Sequence, residues 1–326
     1  MKVAASGWRW ALARLIFAVP VVAGITTLTF VLIHIAPGDP IYVLAGDGGS
    51  PAYYAEMRAK YGLDRSLVDQ LARYVRAVSV GDLGYSFMFQ SPVLRLLLDH
   101  VMASLVLGCT ALVIGTLAGY AVGVTAAVAK SRLLDNGIRL AAATAYAAPV
   151  YWTGQVFIFI AAVTLGWLPV GGIASARESL TGLAWVADVG RHLLLPAVTL
   201  SLPLAAVVMQ VTRASIIEGL GETYVRAMYA RGLSQTRVVV RHVVPNALVP
   251  VTALVGQHAA EIVAGAALTE ALFGWPGVGY LVLHASLHRD YPLVTGAFIA
   301  ISSSVVLVNA FTDAIVAWLD PRIRLS

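Results

Sequence analysis

The chain has 326 residues, of which 59% are hydrophobic and only 12% are charged. Soluble globular domains carry about 25% charged residues, so this composition excludes an ordinary soluble domain and favours a membrane protein. The net charge of +5 does not by itself indicate nucleic-acid binding, because basic residues in membrane proteins mostly mark cytoplasmic loops. The single cysteine, Cys109, excludes an intrachain disulfide and gives no information on the redox compartment.

Six apolar segments are long enough to cross a bilayer, since about 20 apolar residues in a helix span about 30 Å of hydrocarbon. They cover residues 15–35, 101–129, 140–166, 192–212, about 250–269 and 293–318. Four of them contain no Asp, Glu, Lys or Arg, whereas the fifth contains Glu261 and the sixth contains Asp313. The sequence therefore predicts an all-α membrane protein with six transmembrane helices.

The first apolar segment follows three basic residues, as the hydrophobic part of a signal peptide would. Its apolar core is too long for a signal peptide, and the residues Ala36-Pro37-Gly38 make a poor cleavage site because a proline follows the alanine. Residues 1–36 are therefore predicted to be an N-terminal tail and a retained first transmembrane helix.

The distribution of Lys and Arg predicts the orientation. The N-terminal tail, the loops 130–139 and 213–246 and the C-terminal tail together hold thirteen of them, whereas the loops 167–191 and 270–292 hold three. Residues 37–99 add six on the second side, but segments of that length cross a membrane largely regardless of charge. Both termini are therefore predicted to lie in the cytoplasm.

The polar segment 37–99 is predicted to be extracytoplasmic, with helical patterns at 52–61 and 66–78. Its size suits a small cap over the mouth of a pathway. Two aspartates in it, Asp39 and Asp82, are predicted to set turns rather than to touch a ligand. Residues 100–326 then form a core domain with the other five spans and a cytoplasmic loop at 213–249.

This cytoplasmic loop is the longest and the most basic, with five arginines between residues 213 and 246. Residues 224–231 suit a short helix, which Gly232 can end in the left-handed conformation. Ser234 can cap a second helix that begins near Gln235, and four valines between 238 and 243 give that helix an apolar side. The sequence therefore predicts a helix, a glycine turn and a second helix between two spans. Such an element is suited to transmit a displacement to the spans.

Two other interpretations of the loop follow from its residues. Arginines on a helix-turn-helix are typical of DNA-binding proteins, but here both ends are tied to transmembrane helices, so that a helix could scarcely reach a major groove. No nucleic-acid partner is therefore predicted. The remaining alternative is a basic loop that only sets the membrane topology.

The loop resembles the EAA loop of ATP-binding-cassette importer permeases, in the variant of the B-type permeases of the dipeptide, oligopeptide and nickel branch. It lacks a literal Glu-Ala-Ala, since the chain has Ala-Met-Tyr-Ala at residues 227–230. The matching residues are Tyr224, Arg226, Ala230, Gly232, Leu233, Ser234, Arg241, His242, Asn246, Ala247, Leu248 and Pro250.

Further stretches resemble the same branch and extend the resemblance over nearly the whole chain. They are "APGDP" at 36–40, "YGLDRSLVDQLARYVRAVSVGDLGYSF" at 61–87, "FGWPGVGYLVLHASLHRDYPLV" at 273–294 and "LDPRIR" at 319–324. Four stretches in the right order and spacing are stronger evidence than any one of them.

The resemblance implies a type I importer permease of the cell membrane that forms half of a pathway for di- or oligopeptides. Nickel or another small solute is the alternative substrate within the branch. The implied partners are a second homologous permease in a heterodimer, one or two ATPase subunits and an extracytoplasmic substrate-binding protein. The residues implied to couple this chain to the ATPase are Tyr224, Arg226, Ala227, Ala230, Arg231, Gly232, Leu233 and Ser234.

The chain is predicted not to be an enzyme and to hold no cofactor, with ATP and Mg bound by the partner ATPase. A phosphate-binding loop requires Gly-x-x-x-x-Gly-Lys-Ser/Thr, and the nearest match, Lys130-Ser131, follows an alanine. No Gly-x-Ser-x-Gly sequence indicates a hydrolase. An ATP-independent secondary transporter would suit six spans, but it would leave the long basic loop without a purpose.

Three ionisable residues have open roles. Glu261, within the fifth span, can line a substrate path and meet an amine or a cation, or can bond a neighbouring helix. His284 and His288 have the i,i+4 spacing of metal ligands on a helix, but no third ligand is evident. They are predicted to be a solvated pair, and no metal site is predicted.

Overall fold

The computed structural model describes residues 19–32, 34–35, 49–61, 64–175 and 180–319. The N-terminal tail, the APGDP stretch with Asp39, and residues 320–326 lie outside the described residues. Two compact units divide the chain: the first combines Met1–Ala103 with Gly277–Val306, and the second combines Ser104–Pro276 with Leu307–Ser326. The prediction of three segments at 1–36, 37–99 and 100–326 stays a prediction.

The described chain is mostly helical, with one short hairpin. In chain order the elements are α1 (Val19–Leu32), α2 (Pro51–Tyr61), α3 (Leu67–Ser79), β1 (Tyr85–Ser86), β2 (Ser91–Pro92), α4 (Val93–Val128), α5 (Arg132–Ala147), α6 (Val150–Phe157), a π-helical stretch (Ile158–Thr164), α7 (Gly182–Gly221), α8 (Thr223–Ala230), α9 (Gln235–Val238), a π-helical turn (Val239–Val243), α10 (Val244–Phe273), α11 (Val278–Leu287) and α12 (Tyr291–Leu319).

Four of these helices are long and apolar enough to span a membrane by themselves, and up to six spans result if each of two bent helix pairs counts as one. The four long helices contain the predicted second, fourth, fifth and sixth spans. The helical patterns predicted at 52–61 and 66–78 are confirmed by α2 and α3. A mostly helical membrane fold was therefore readable from hydropathy.

The third span differs from its prediction as one continuous helix over 140–166. It consists of α5 and a helical segment from Val150 to Thr164, and the two are bent by 108°. Pro149 is the physical cause, because a proline disfavours helical backbone at the residue before it. Ala148 accordingly has extended dihedrals, with φ −71° and ψ 131°.

The first unit has its core between the start of α4, α11 and the start of α12. Val93 and Leu97 of α4 pack there with Leu281, Ala285 and Leu293, all of them buried. A hydrogen bond of 3.1 Å also links the side chains of His34, just beyond α1, and Gln70 of α3. Helix α3 is thus attached to the residues just beyond α1.

Asp290, which precedes α12, joins the hairpin to this core. Its Oδ2 accepts hydrogen bonds from the Ser86 hydroxyl at 2.5 Å and from the Met88 backbone N–H at 3.1 Å. Its Oδ1 accepts from the Leu293 N–H at 3.4 Å. Asp290 is only 1% exposed, so its oxygens depend on these donors inside the protein rather than on water.

The second unit is organised around α7, which packs against α5, α6 and α10. In its most apolar window 56% of the residues are buried, compared with 17–28% in the other three long helices. Helix α7 begins ten residues before the predicted span, so that part of the predicted outer loop 167–191 is helical. Helix α7 is thus the central element against which the others pack.

A seam of three glycines lets α4 approach the backbone of α7. The glycines are spaced four residues apart, so they lie on one face of α4. A Cβ atom at these positions would lie 2.9, 2.5 and 2.7 Å from backbone carbonyl oxygens of α7. The glycine and carbonyl pairs are Gly115 with Ser201, Gly119 with Ala205, and Gly123 with Met209. Small residues four positions apart allow the backbones of two membrane helices to approach closely.

A bidentate ion pair fastens α5 to the same central helix. The Arg213 guanidinium of α7 donates through Nε to Oδ1 of Asp135 at 2.6 Å and through an Nη to Oδ2 at 2.7 Å. Both residues lie in the predicted cytoplasmic loops. The pair therefore ties the start of α5 to the C-terminal part of α7.

We expect the substitution Gly119→Val to destabilise the second unit, because its side chain would collide with the Ala205 carbonyl. Overpacking of this kind costs about 1–3 kcal/mol, which corresponds to an apparent Tm lower by roughly 2–12 °C. Gly137→Val is the matched control, since Gly137 is also helical and has no neighbouring atom within 4 Å. Equal melting temperatures of the two purified variants would contradict the seam.

We expect Asp290→Asn to loosen the hairpin, because the amide in either orientation would direct an NH₂ group at a donor. Leaving buried donors unpaired costs about 1–3 kcal/mol. Chymotrypsin should then cleave the aromatic segment 85–89 several-fold faster in the purified protein. Asp82→Asn is the control, since exposed Asp82 accepts a single bond of 2.9 Å from the Gly84 N–H, which an amide oxygen can also accept. Identical cleavage rates would exclude an anchoring role for Asp290.

Candidate functional site: the cytoplasmic coupling surface

Helix α8, Thr223–Ala230, lies within one residue at each end of the helix predicted over 224–231, and it ends in a Schellman motif. Gly232 has φ +80°, its N–H donates to the Tyr229 carbonyl at 2.9 Å, and the Leu233 N–H donates to the Met228 carbonyl at 3.2 Å. The hydrophobic contact typical of this motif is present, since Met228 and Leu233 flank the same apolar cluster. The glycine turn is therefore confirmed, and it fixes the direction of the chain after α8.

The second helix of the element is shorter than the predicted one. Helix α9 has only four residues and continues through the π-helical turn into α10, so no break separates it from the fifth span. Ser234 occupies the predicted capping position with extended dihedrals, but its side chain makes no capping hydrogen bond. Its backbone carbonyl accepts from the Val238 N–H at 3.0 Å instead.

The underside of the element packs on the ends of three long helices. Val225 of α8, Val238 of α9 and Val243 of the π-helical turn are buried together with Ile216 of α7 and Ala247 of α10. Of the four valines predicted to form the apolar side, Val240 is the exception and is 62% exposed. The flanking residues of this cluster are Val124 and Ala127 of α4, Leu220 of α7, Met228, Leu233 and Val244.

Two hydrogen bonds add polar links between this element and the spans. The Asn246 amide of α10 donates to the Tyr224 hydroxyl of α8 at 3.3 Å. The Tyr120 hydroxyl of α4 donates to the Val244 carbonyl, at the start of α10, at 2.7 Å. Helix α8 is thus held to α10, and α10 to α4, by bonds with defined directions.

The outer surface of the element is basic and open to solvent. Among the residues that the resemblance assigns to coupling, Leu233 alone is partly buried, and the others are exposed. Within the described part of the chain no ion pair involves Arg226, Arg231, Arg237 or Arg241. We name this surface, formed by residues 224, 226, 227, 230–232 and 234 with the two further arginines, the coupling surface. It offers guanidinium groups that can make charge-assisted hydrogen bonds.

Glu261, the other candidate, lies far from this surface in sequence, on α10. Its side chain is 61% exposed, and its Oε2 is 2.5 Å from Nδ1 of His258 on the same helix. Neither expected role is decided by this contact, since the partner is neither a ligand nor a neighbouring helix. The structure does not bring Glu261 together with the coupling surface.

The two histidines in the outer segment stack on each other. The rings of His284 and His288 are 6.3 Å apart at an interplanar angle of 8°, and His288 Nδ1 is 2.8 Å from the His284 carbonyl oxygen. Among the described residues, no three His, Cys, Asp or Glu side chains are grouped closely enough to hold a metal ion. Asp290, which follows the pair in sequence, makes the bonds to the hairpin described above.

Sequence reasoning missed one buried carboxyl group near the outer end of α10. Glu270 is 1% exposed, and its Oε1 accepts a hydrogen bond of 2.6 Å from the Ser104 hydroxyl of α4. The apolar window ends at 269, so the sequence predicts that residue 270 begins an outer loop. The signal in the sequence was the helical spacing of small and apolar residues, which continues one face past the window at Ile262, Ala266, Thr269 and Phe273.

Comparisons with known families agree along the whole chain. Residues 111–325 match the family described as binding-protein-dependent transport system inner membrane component. Residues 8–108 match the N-terminal region of membrane components of such systems. These families are the transmembrane permease components of ATP-binding-cassette importers, which work with an ATPase and an external binding protein.

Several curated proteins are similar over nearly their full lengths. The dipeptide transport system permease protein DppB of Escherichia coli K12 is 36% identical, with 96% of this chain and 98% of that protein covered. The di/tripeptide transport system permease protein DppB of Pseudomonas aeruginosa is also 36% identical, with 95% and 97% covered. A putative peptide permease protein of Brucella suis is 34% identical, with 98% and 99% covered.

Solved structures show the same fold at low sequence identity. A chain of the MetNI methionine ABC transporter in an inward-facing conformation is similar with a TM-score of 0.52 and 17% identity, covering 69% of this chain and 96% of that one. The predicted permease fold is thereby confirmed. The chain belongs to the family of binding-protein-dependent transport system inner membrane components, and it is a multi-pass permease subunit of an ATP-binding-cassette importer.

Proposed function

We propose that this permease subunit forms half of the pathway of a peptide importer. We also propose that the coupling surface contacts the ATPase and transmits its conformational change to the spans. The peptide substrate is supported by the names of the relatives, which are dipeptide, di/tripeptide and peptide permeases matched over nearly their whole lengths. No feature of the described residues favours nickel or another solute over a peptide.

The observation that carries the coupling role is the contrast between the two sides of α8. Arg226 and Ala230 are exposed, whereas Val225 has no exposed surface at all. A loop that only sets topology needs its charge but needs no packed underside. A lever needs both, since a force on the outer side reaches the spans only through close-packed atoms.

The packing of α8 indicates how a movement of the ATPase would reach the spans. Arg226 and Arg231 can pair with carboxylates of the ATPase, and the small residues Ala227 and Ala230 allow close approach of its surface. A displacement of α8 then moves α7 and α4 through the apolar cluster around Val225. It moves α10 through the hydrogen bond between Tyr224 and Asn246. Such a rigid-body movement is a usual way in which packed helices change state.

The remaining partners follow from the resemblance to the B-type permeases. A second homologous permease completes the pathway in a heterodimer, and one or two ATPase subunits dock on the cytoplasmic side. The π-helical turn Val239–Val243 carries Arg241 of the coupling surface and leads directly into α10. It is the place where the link can twist, because π-helical turns interrupt the regular hydrogen-bond ladder of a helix.

We expect Arg226→Glu and Gly232→Ala to uncouple the reconstituted importer. The first reverses a charge on the coupling surface, and the second places a Cβ at φ +80°, which costs about 1–3 kcal/mol. Co-purification of the ATPase, or stimulation of its activity by peptide-loaded binding protein, should fall about tenfold in both. The measurement is ATP hydrolysis and peptide uptake in proteoliposomes.

Each variant has a matched control. Arg132→Glu makes the same charge change at an exposed arginine of the other cytoplasmic loop. Gly221→Ala adds the same methyl group in open space, at a glycine without positive φ. If Arg226→Glu and Gly232→Ala hydrolyse ATP and transport as well as these controls, the coupling role is wrong, and the loop only sets topology.

We expect the wild-type importer to take up a labelled dipeptide such as Ala-Ala in a manner that requires both ATP and the binding protein. Excess unlabelled dipeptide should compete, since it occupies the same binding protein, whereas a nickel chelate should not. Uptake of labelled nickel that dipeptides fail to inhibit would replace peptides by nickel as the substrate.

A further inference from the structure

A histidine–glutamate pair lies in the middle of α10, and the coupling function does not use it. His258 Nδ1 is 2.5 Å from Glu261 Oε2, a hydrogen bond in which the ring nitrogen donates in the tautomer that carries its proton on Nδ1. His258 is 22% exposed and Glu261 is 61% exposed. The second carboxylate oxygen, Oε1, makes no hydrogen bond within the described part of the chain.

The depth of Glu261 in the membrane makes its exposure informative. It lies eleven residues into the predicted span 250–269, which at 1.5 Å per residue places it about 16 Å into a hydrocarbon layer of about 30 Å. A charged side chain at that depth is strongly disfavoured in lipid, and such residues face a protein interior or a water-filled cavity. The exposed side of Glu261 is therefore not turned to lipid in the working importer.

The rest of this helix face leads to the same conclusion. Among the described side chains of α10 between 250 and 269, Leu268 is the single large aliphatic residue that is exposed. The other exposed ones are Pro250, Thr252, Ala253, Gln257 and Glu261. The exposed large residues of α4 from 104 onwards are instead all leucine and valine: Leu105, Val106, Val113, Leu117, Val122 and Val128. The face of α4 suits lipid, whereas that of α10 suits water or a polar solute.

The chemistry of the pair defines its ligand. An ionised carboxylate only accepts hydrogen bonds, and His258 fixes its orientation while leaving Oε1 available. The sequence of α10 between 250 and 269 contains no Lys or Arg that could neutralise it. The natural complement is a cation that donates several hydrogen bonds, which describes a primary ammonium group.

We infer that Glu261, positioned by His258, binds the primary ammonium group of a peptide while it crosses the membrane. The inference rests on the proposed peptide-import function and adds a contact within the pathway. Every unmodified peptide carries such a group at its N-terminus, and a lysyl peptide carries a second one on its side chain. Glu261 contacts the substrate, whereas His258 is a positioning residue.

The test measures initial uptake in proteoliposomes that contain the complete importer, at saturating concentrations of loaded binding protein. The peptides are Ala-Ala, Lys-Ala and Nε-acetyllysyl-alanine, which all retain a free N-terminus. The variants are Glu261→Gln, Glu261→Asp and His258→Asn. Glu218→Gln is the matched control, because Glu218 is exposed at the cytoplasmic end of α7.

We expect Glu261→Gln to lower uptake about tenfold, since a hydrogen bond to a charged group is lost. An equal loss for all three peptides that Glu261→Asp reverses identifies the N-terminal ammonium as the ligand, and a greater loss for Lys-Ala than for its acetylated form identifies the side-chain ammonium. Glu261→Asp, which keeps the charge, should restore most of the rate. His258→Asn should cause a smaller loss with the same preference among peptides, which a merely structural role would not produce.

Three results overturn the inference. The first is uptake of all three peptides by Glu261→Gln within about twofold of the Glu218→Gln control. The second is an equal loss in the Gln and Asp variants of assembled importer, which would show that the charge is irrelevant. The third is a loss of ATPase stimulation that accounts for the loss of uptake. If wild-type importer takes up no peptide at all, the proposed function fails and takes this inference with it.

Discussion

Contact between the backbones of α4 and α7 is the constraint on which the second unit depends. Lipid tails are as apolar as leucine, so the hydrophobic effect does not drive two helices together within a bilayer, and close packing has to do so. Gly115, Gly119 and Gly123 supply that packing by exposing α4 backbone to carbonyl groups of α7. The next residues of α4 on the same side, Val124 and Ala127, already belong to the cluster beneath α8. The apolar cluster beneath α8 thus continues the glycine seam along α4. The position of the coupling surface therefore depends on how closely these glycines let α4 approach α7.

Structural features that depend on residues close together in sequence were easier to predict than features that depend on distant ones. The turn at Gly232 was predictable because every bond that forms it lies within six residues. The bend at Pro149 has an equally local cause, but a continuous apolar pattern concealed it. The glycine seam could not be found by hydropathy, because hydropathy records how apolar a residue is and not how closely a helix can approach. The burial of Glu270 and Asp290 depends on Ser104 and Ser86, each more than 160 residues away in sequence.

The exposed surfaces of the described helices are adapted to different surroundings. Branched aliphatic side chains such as Leu117 cover the exposed face of α4. Exposing such a face to lipid hydrocarbon costs almost no free energy. Gln257 and Glu261 lie one turn apart on α10, and a face that bears them is stable only next to water or protein. The same distinction separates α8 from its surroundings at the cytoplasmic end, where valines meet the spans and arginines meet solvent. Hydropathy summed along the chain identifies the spans, but only the side on which each polar residue lies indicates what the span adjoins.

The bond between Ser86 and Asp290 also constrains the order in which the protein is made. The two residues are 204 positions apart, and ribosomes add about 5–20 residues per second. The hairpin therefore leaves the ribosome about 10–40 s before its anchor does. Until Asp290 and α12 have been made, the Ser86 hydroxyl and the Met88 N–H lack the carboxylate to which they donate in the folded chain. The hairpin of the first unit is consequently among the last parts of the protein to reach its final structure, and a chain truncated before residue 290 would leave it without its anchor.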